Sequence, residues 1–414
     1  MTKTIIIGAG IVGVSAAIWL AREGHDVTLI DKGQPGMGAS YGNACVLAAG
    51  SIAPVSEPGM WAKAPKMLFN PNFPLFIRWP YLPKLTPWLI RFMSNANDAD
   101  TRRIAKGLTP IVSDSVQQHQ MLTKGTKAAK WVHESEFNFA YRDRADFDHD
   151  SYTWALRREA GFVPEIIEGP AVQEAEPILS SDIQLLAVMK NHGFIHNPLA
   201  YITDLMDVLT DLGAKFVQAE VKDFDLSGGK VSAVDTDQGR FECGNVVLAA
   251  GAWSKPLMKK LGLSVPLETE RGYHVTFKKP SQTTRNPMMV TAGKFVATTM
   301  ENGLRCAGIV EFGGLKAGKS KAPLKLLRKT IKATFPNLTY ESSEEWLGFR
   351  PTPSDSLPLI GEVGTTGVYA AFGHQHIGLT GGPKTGRMIA DLMTGKRGNH
   401  DMTPYDPQRF TADT

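Results

Sequence analysis

The stretch Thr4-Ile5-Ile6-Ile7-Gly8-Ala9-Gly10-Ile11-Val12-Gly13 decides the fold. Its β-branched run reads as a buried strand that leads straight into Gly8, Gly10 and Gly13. From Val14 to Glu23 the pattern is helical, with Ala16, Ala17 and Leu20 on one side and Gly24 where a C-terminal glycine belongs. Val27-Thr28-Leu29-Ile30 reads as a second strand ending at Asp31, 23 residues after Gly8. Strand, Gly-x-Gly-x-x-Gly, helix, strand and acid together make a dinucleotide-binding unit. Gly8 makes the tight turn, Gly10 lets the backbone around Ala9 and Ile11 approach a pyrophosphate, and Gly13 lets helix and strand pack closely. The helix N-terminus offers N–H groups and partial positive charge to phosphate. Asp31 is suited to accept hydrogen bonds from a ribose. Lys32 beside it reads either as a phosphate contact or as a solvated lysine.

Outward from this unit, the chain has 414 residues, 45 Lys+Arg against 41 Asp+Glu and hence a formal charge of +4. With 43% apolar and 21% charged residues the composition is that of a soluble globular protein, and the length suggests two domains. No run of about 18 uncharged apolar residues suggests a membrane span. Cys45, Cys243 and Cys306 fit neither a disulfide framework nor a metal site, so a reducing, cytoplasmic location and no metal are expected. No long basic block points to nucleic acid.

The glycine motif does not distinguish FAD from NAD(P). Three later segments do. Met37 to Ala44 is a small-residue loop carrying Ser40 and Asn43, and its alternative reading is a plain flexible loop. Val246-Val247-Leu248 runs into Ala249-Ala250-Gly251-Ala252-Trp253-Ser254. Gly373-His374-Gln375-His376-Ile377-Gly378-Leu379-Thr380 precedes a helix expected from about Lys384 to Met393. With Arg271-Gly272-Tyr273 and the run Trp346-x-Gly-x-Arg-Pro-x-Pro-x-Asp, these segments resemble the D-amino acid oxidase superfamily of FAD-dependent amine oxidoreductases over nearly the full length. Within it the chain looks most like the bacterial D-amino acid dehydrogenases of the small-subunit type. The resemblance implies FAD as cofactor. It places FAD against Gly8, Ala9, Gly10, Ile11, Gly13, Asp31, Lys32, Ser40, Asn43, Ala44, Val221, Ala249, Ala250, Gly251, Trp253, Gly373, His374, Gly378, Leu379 and Thr380.

It also implies an α/β fold with a discontinuous Rossmann-like FAD-binding domain, and an α+β substrate-binding domain with a large antiparallel sheet. The expected division gives residues 1–56, 193–264 and 354–414 to the FAD domain, and 57–192 and 265–353 to the substrate or cap domain. Helices are expected around 81–96, 104–129 and Pro198–Leu212. Strands are expected at Lys215–Ala219, Tyr273–Phe277 and Phe295–Thr299. Pro54 to Met93 holds eight prolines, with Trp61, Phe69, Phe73, Phe76, Trp79, Tyr81, Trp88 and Phe92 among Lys63, Lys66, Arg78, Lys84 and Arg91. These aromatics either pack on the protein's own core as a cap or form a peripheral contact with the inner face of the cytoplasmic membrane.

An amino acid brings a carboxylate, which suits a bidentate arginine. The resemblance gives that role to Arg350 in Gly348-Phe349-Arg350-Pro351, with Arg271 as a weaker candidate. It turns the Tyr273–His274 segment toward the substrate. Strand alternation allows only one of the two to face inward, and Tyr273 is preferred. His374 stands beside the flavin, either bonding flavin or substrate or serving as an ordinary loop histidine. The implied reaction is hydride transfer from Cα of a neutral amine to flavin N5, with no obligatory side-chain base. The imine then hydrolyses, or stays cyclic for a proline. Backbone N–H groups of the helix after residue 380 would stabilise charge on the reduced ring. Electrons pass to a quinone or other acceptor. The alternatives are an oxygen-using oxidase of the glycine or sarcosine type, and a flavoprotein subunit of a heteromeric dehydrogenase. Tyr273-His274 and Gly373-His374-Gln375-His376 suggest a cyclic substrate such as D-proline or 4-hydroxy-D-proline. Oligomeric state is not legible.

Overall fold

The computed structural model describes residues 2–62, 70, 73–396 and 398–413. Lys63, Lys66 and Phe69, named above, lie outside the described residues.

The N-terminal run forms the strand Lys3–Ile7, the helix Ile11–Arg22 and the strand Asp26–Asp31. The helix starts three residues before the expected Val14 because Gly10 already serves as its N-cap. Gly24 follows it at φ 85°, the left-handed position a helix-ending glycine fills. Six strands form one sheet in the order Leu359–Glu362, Val368–Phe372, Asn245–Leu248, Lys3–Ile7, Asp26–Asp31, Lys215–Gln218. All neighbours are parallel except the first two. Lys3–Ile7 lies in the middle and is buried on both faces, which explains its unbroken apolar run. Ile6 packs toward the helix layer of Ile11–Arg22, Pro198–Asp211 and Gly378–Met393. Ile5 and Ile7 pack the other way, in a cluster with Phe224 and Val234 of a three-stranded sheet over Val221–Glu242.

A second sheet has ten strands and is mostly antiparallel. Its main path runs Ser342–Pro353, Leu267–Lys278, Gly303–Phe312, Phe295–Met300, Met288–Val290, Val132–Tyr141, Leu185–Ile195, Val46–Leu47. Two pairings are parallel: Met288–Val290 with Val132–Tyr141, and Gly303–Phe312 with Leu75–Ile77. Tyr273, Val275 and Phe277 cluster on one face with Leu324, Leu327 and Ile331 of the helix Lys321–Thr334. The opposite face looks back toward the nucleotide-binding unit.

Two expected helices differ in the structure. The 104–129 helix is two, Asp98–Val112 and Ser115–Thr123, broken around Ser113 and Asp114. The C-terminal helix spans Gly378–Met393 and so begins six residues before Lys384. Pro383 lies inside it, and its missing N–H leaves the carbonyl of Leu379 without a helical donor. The buried His119 supplies one, from Nε2 to Leu379 O at 2.9 Å, and its Nδ1 accepts from Tyr201 Oη at 2.8 Å. Burial pulls the pKa of His119 to about 4, which keeps the ring neutral in this role.

In the proline-rich stretch, Leu82–Ser94 is helical and packs Leu85, Trp88, Phe92 and Met93 against Phe312. Trp88 Nε1 donates to Thr352 O at 3.0 Å, and Tyr81 Oη donates to the Glu268 carboxylate at 3.0 Å. Trp61, Trp79 and Ile90 stay more than half exposed. Among the described residues no helix is long and apolar enough to cross a membrane.

Candidate active site

A cavity of about 840 Å³ runs between the six-stranded sheet and the inward face of the large sheet. That volume is near the upper end for small-molecule sites. Asp31, Glu220 and Trp253 line one end, beside the six-stranded sheet; Trp346 and Arg350 line the other, on the large sheet, and Arg157 lines the cavity where its helix packs on Phe139.

The first end is made of main chain. Gly8 has φ 111°, and a Cβ there would lie 2.4 Å from Ala249 O. A Cβ on Gly13 would lie 1.8 Å from Gly8 O, so helix and strand touch backbone to backbone. Ala9 N donates to Asp31 Oδ2 at 2.7 Å, and Gly33 N donates to Asp31 Oδ1 at 2.8 Å. The carboxylate is thereby fixed, with lone pairs left for a ligand. Lys32 Nζ sits 4.0 Å above the Trp253 ring on a residue that stays exposed, so it is a solvated lysine that also rests on an aromatic face. Ala249, Ala250, Gly251 and Val221 line the same end.

Ser40, Asn43 and Ala44 line the wall, but their polar groups chiefly hold the loop in place. Ser40 Oγ accepts from Ile11 N at 2.9 Å. Asn43 Nδ2 donates to Ser40 O at 2.7 Å, while its Oδ1 accepts from Cys45 N at 2.7 Å. Arg305 and Thr298, on the large sheet, bind the loop carbonyls of Tyr41 and Ala44, each at 2.7 Å. Gly373, Gly378, Leu379 and Thr380 complete this side. The helix starts at Gly378, so the N–H groups its first turn leaves free are those of 378–380. Thr380 Oγ1 ties the helix to Val46 O at 3.2 Å. His374 is buried and shares a hydrogen bond with Thr385 Oγ1 at 2.8 Å; burial lowers its pKa to about 4. It lines the cavity as a neutral ring.

At the second end, sheet register decides what faces in. Arg350 pairs across the strands with Glu270, and Gly272 pairs with Gly348. A Cβ on Gly272 would lie 2.4 Å from the Arg350 guanidinium carbon, so the absent side chain is what lets the guanidinium lie over the strand. Arg350 Nη1 is buried with no hydrogen-bond partner, and so is Glu270 Oε2 beside it. Burial lowers the Arg350 pKa and Glu270 raises it. Burial pushes the Glu270 carboxyl above its usual range, against Arg350. His376 Nε2 lies 3.3 Å from Glu270 Oε2 on a side chain still open to the cavity; the enclosing walls, and after them the Arg350 charge, lower its pKa from the usual histidine value.

Two expected substrate residues do not reach the cavity. Arg271 is wholly buried and ion-paired to Glu311 Oε2 at 2.7 Å. Its other nitrogens donate to Gly314, Ala317 and Gly318 carbonyls. Tyr273 Oη donates to the same Glu311 oxygen at 2.6 Å. Burial would raise the Glu311 pKa, but hydrogen bonds from Ser320, Tyr273 and Arg271 outweigh it and hold the carboxyl low. Alternation explains the correction: 271 and 273 share the face covered by the helix Lys321–Thr334, and 270, 272 and 274 share the inward face. His274 therefore points inward, although it does not line the cavity. Its Nδ1 donates to Gly42 O at 3.0 Å, and it stacks on Trp346 at 5.2 Å between ring centroids.

Sequence reasoning missed Trp346, Glu270, Phe137, Phe139 and Arg157. Trp346 stood inside the quoted run, and its ring fills space that a Cβ on Gly42 or Gly348 would take. The others carry no local motif. Among the described residues no group of three or more His, Cys, Asp or Glu is placed to hold a metal.

These features fit a flavin dinucleotide: a side-chain-free turn at a helix N-terminus, a fixed acid for a ribose and a second helix N-terminus further along. Beyond them lies the Arg350 guanidinium, whose Nη1 has no hydrogen-bond partner.

Comparison with known proteins agrees. The family model described as FAD dependent oxidoreductase matches residues 3–392. A D-amino-acid oxidase of Bradyrhizobium diazoefficiens is 38% identical over 413 residues, 98% of each chain. A D-amino acid dehydrogenase of Allorhizobium ampelinum is 27% identical over 434 residues, 99% of each. Two solved structures share the fold. Glycine oxidase of Geobacillus kaustophilus has TM-score 0.73 and 21% identity, covering 99% of each chain. L-proline dehydrogenase of P. horikoshii has TM-score 0.73 and 20% identity, covering 100% of this chain and 98% of that one.

Proposed function

The chain belongs to the family of FAD-dependent oxidoreductases, and from that premise we propose that it oxidises a D-amino acid at Cα. The carrying observation is the buried, unpartnered Nη1 of Arg350 on the cavity wall over Gly272. A guanidinium in that state favours a planar anion, and a carboxylate fits it with two parallel hydrogen bonds. The names of the two curated relatives support the D configuration. With this reading goes the division of the chain, in which 1–56, 193–264 and 354–414 hold the cofactor.

Bound FAD supplies the acceptor for the hydride leaving the substrate carbon. The chain's own part is positional. Arg350 holds the carboxylate, so Cα has one orientation relative to the wall formed by Gly378, Leu379 and Thr380. The apolar lining of Phe137, Phe139, Met289, Val296 and Ala307 limits water and favours the neutral amine. Hydrolysis of the released imine needs only solvent. The cyclic-substrate expectation loses part of its support, since Tyr273 faces away from the cavity.

For the acceptor, we favour a quinone at a membrane surface, supported by the exposed Trp61, Trp79 and Ile90 of the proline-rich stretch. Oxygen is the second reading, supported by the oxidase name of the 38% identical relative. Anaerobic mixing with a panel of D- and L-amino acids tests the core claim. D-selective bleaching of the flavin is expected, and L-selective or absent bleaching overturns it. Peroxide formation in air, against turnover only with a quinone or dye, decides the acceptor. Flotation with anionic vesicles tests the membrane contact.

A further inference from the structure

One corner of the cavity wall gathers three ionisable groups. Glu270 and Arg350 are direct cross-strand partners, so their Cβ atoms share the inward face about 5 Å apart. They do not bond each other: Glu270 Oε2 and Arg350 Nη1 are both buried and both without a hydrogen-bond partner. The guanidinium lies over Gly272 instead. His376 comes from the turn Gln375–Ile377, and its Nε2 stands 3.3 Å from the free Glu270 oxygen. The His376 side chain is 39% exposed and that of Glu270 5%. His376 and Arg350 line the cavity and Glu270 does not, so the carboxylate meets a ligand only by way of these two.

The surroundings offer no other base. Glu268 shares the inward face of the same strand, but it accepts from Tyr81 Oη and Thr269 N. Lys255, whose charge acts on Glu268, donates to Leu267 O. Thr352 flanks Arg350 without charge, and Phe312 pairs with Glu270 on its other side. The helix Leu82–Ser94 adds only Leu85, Trp88, Phe92 and Met93, packed on Phe312. His374 Nε2 is occupied with Thr385 Oγ1, and Asp31 and Glu220 belong to the nucleotide end. One guanidinium here faces one carboxylate, so the corner is balanced by itself. A substrate carboxylate on Arg350 adds a second negative charge, and two carboxylates sharing one cation tighten the hold of the corner on a proton. The same anion cancels the Arg350 charge that helps to keep His376 neutral. An amino acid carries its ammonium group one carbon from that carboxylate, and oxidation at Cα needs the nitrogen lone pair.

We propose that His376 and Glu270 form a dyad that takes the extra proton from the substrate ammonium group. This rests on the reading that Arg350 holds the α-carboxylate. An N–H bond of the ammonium group breaks, its electron pair stays on the nitrogen, and a new N–H bond forms on the imidazole. Nε2 is the nitrogen beside Glu270, which leaves Nδ1 to accept. Glu270 is the positioning residue: its carboxylate holds the imidazolium and offsets its charge, as an acid does behind a histidine base. The family resemblance implies no side-chain base for this step.

The test uses the flavin-loaded full chain, with the D-amino acid that bleaches the flavin fastest and with butyrate, an unreactive carboxylate that has no amine. Across neutral to mildly alkaline pH the kcat/KM of the unsubstituted protein should vary by no more than about threefold, because the dyad deprotonates the zwitterion itself. In His376→Gln it should fall about 100-fold at neutral pH and climb about tenfold per pH unit, since only substrate already neutral at nitrogen then reacts. Glu270→Gln should show the same slope with a smaller loss. Butyrate brings no proton, so its binding should draw one from the buffer and weaken about tenfold per pH unit on the alkaline side. Glu270→Gln should bind butyrate more tightly there and without that dependence, because the competing carboxylate is gone; a merely damaged site would bind it less. A steep rise of kcat/KM with pH in the unsubstituted protein overturns the dyad without any variant. So does a flat profile in His376→Gln, or butyrate binding that takes up no proton. If butyrate fails to stabilise the protein at any pH, the Arg350 reading is what fails, and the dyad falls with it.

Discussion

The two ends of the cavity are built by opposite means. The nucleotide end is a surface of main chain: Gly8, Gly10, Ala249 and the two helix starts present N–H groups and let backbone touch backbone. The end proposed for the substrate is a surface of side chains: Trp346 and Arg350 project from one strand and His376 from the turn before the last helix. A main-chain surface tolerates no added atoms and changes little with ligand chemistry. A side-chain surface is set by the parity of strand register, and one changed residue retunes it. Damage at the first end should therefore remove the cofactor altogether, and damage at the second should change only what is oxidised.

The largest effect belongs to Gly8→Val. The added branch would meet Ala249 O, already 2.4 Å from an ideal Cβ, at a φ of 111° that side chains avoid. Strain of about 1–3 kcal/mol comes before the clash is counted. The purified protein should lack the flavin absorbance and melt lower. Gly10→Ala is the finer probe, because its Cβ meets only Ser40 Oγ at 3.2 Å. It should fold yet bind FAD more weakly. A Gly8→Val protein with full flavin content would break the contrast.

Arg350→Ala comes next. Loss of a buried anion anchor should cost about 3–5 kcal/mol in kcat/KM, at unchanged flavin content. Arg350→Lys should recover only part, since an ammonium lacks the planar fork. Unaltered kcat/KM would remove the carboxylate assignment and place the substrate elsewhere in the cavity.

The contrast also explains what the sequence disclosed. The nucleotide unit depends on contacts between residues close in the chain, so spacing alone located Gly8, Asp31 and the helix between them. Arg350 was legible because the residues around it carry a family resemblance. Tyr273 was misplaced because alternation gives two answers, and only the packing of Lys321–Thr334 on one face selects between them. Arg157 has no local signature. It lines the cavity only because its helix packs on Phe139, which lies in the same cross-strand row as Trp346 but five pairings away. The early start of Gly378–Met393 was hidden for a similar reason: Pro383 is tolerated there because His119, 260 residues away in sequence, satisfies Leu379 O.

Acid stability tests both ends together. His119 and His374 brace the helix at the nucleotide end, and His192 and His274 brace Gly50 and Gly42 near the substrate end. Burial lowers all four pKa values from 6.5, to about 4 for His119, His192 and His374 and about 3 for His274. Between these values and 6.5 the unfolded chain binds protons that the native protein refuses, so stability is full above pH 6.5 and falls as pH drops toward 4. Each pH unit in that window costs up to about 1.4 kcal/mol per histidine. The melting temperature at fixed flavin excess should fall between pH 7 and pH 5, with flavin release and unfolding moving together. Flavin release well before unfolding would mean that the two ends are braced separately.

Tyr273→Phe should have the smallest effect and is the sharpest check on parity. It removes the hydrogen bond to the buried Glu311 carboxylate, which keeps Arg271 and Ser320 Oγ, and the one the hydroxyl accepts from Ser320 N at 3.1 Å. A bond to a charged acceptor is worth about 1.5–3 kcal/mol, and the loss should appear in stability alone. With Tyr273 on the helix-covered face, kcat/KM for any substrate should stay within about twofold of the unsubstituted protein, since no cavity contact is touched. The opposite split, a large fall in kcat/KM with an unchanged melting temperature, would put the tyrosine hydroxyl on the substrate. The register would then have to shift by one residue, carrying Arg271 into the cavity and Gly272 away from Arg350. Because a single shift moves every residue of the strand, this conservative variant tests the whole substrate wall at once.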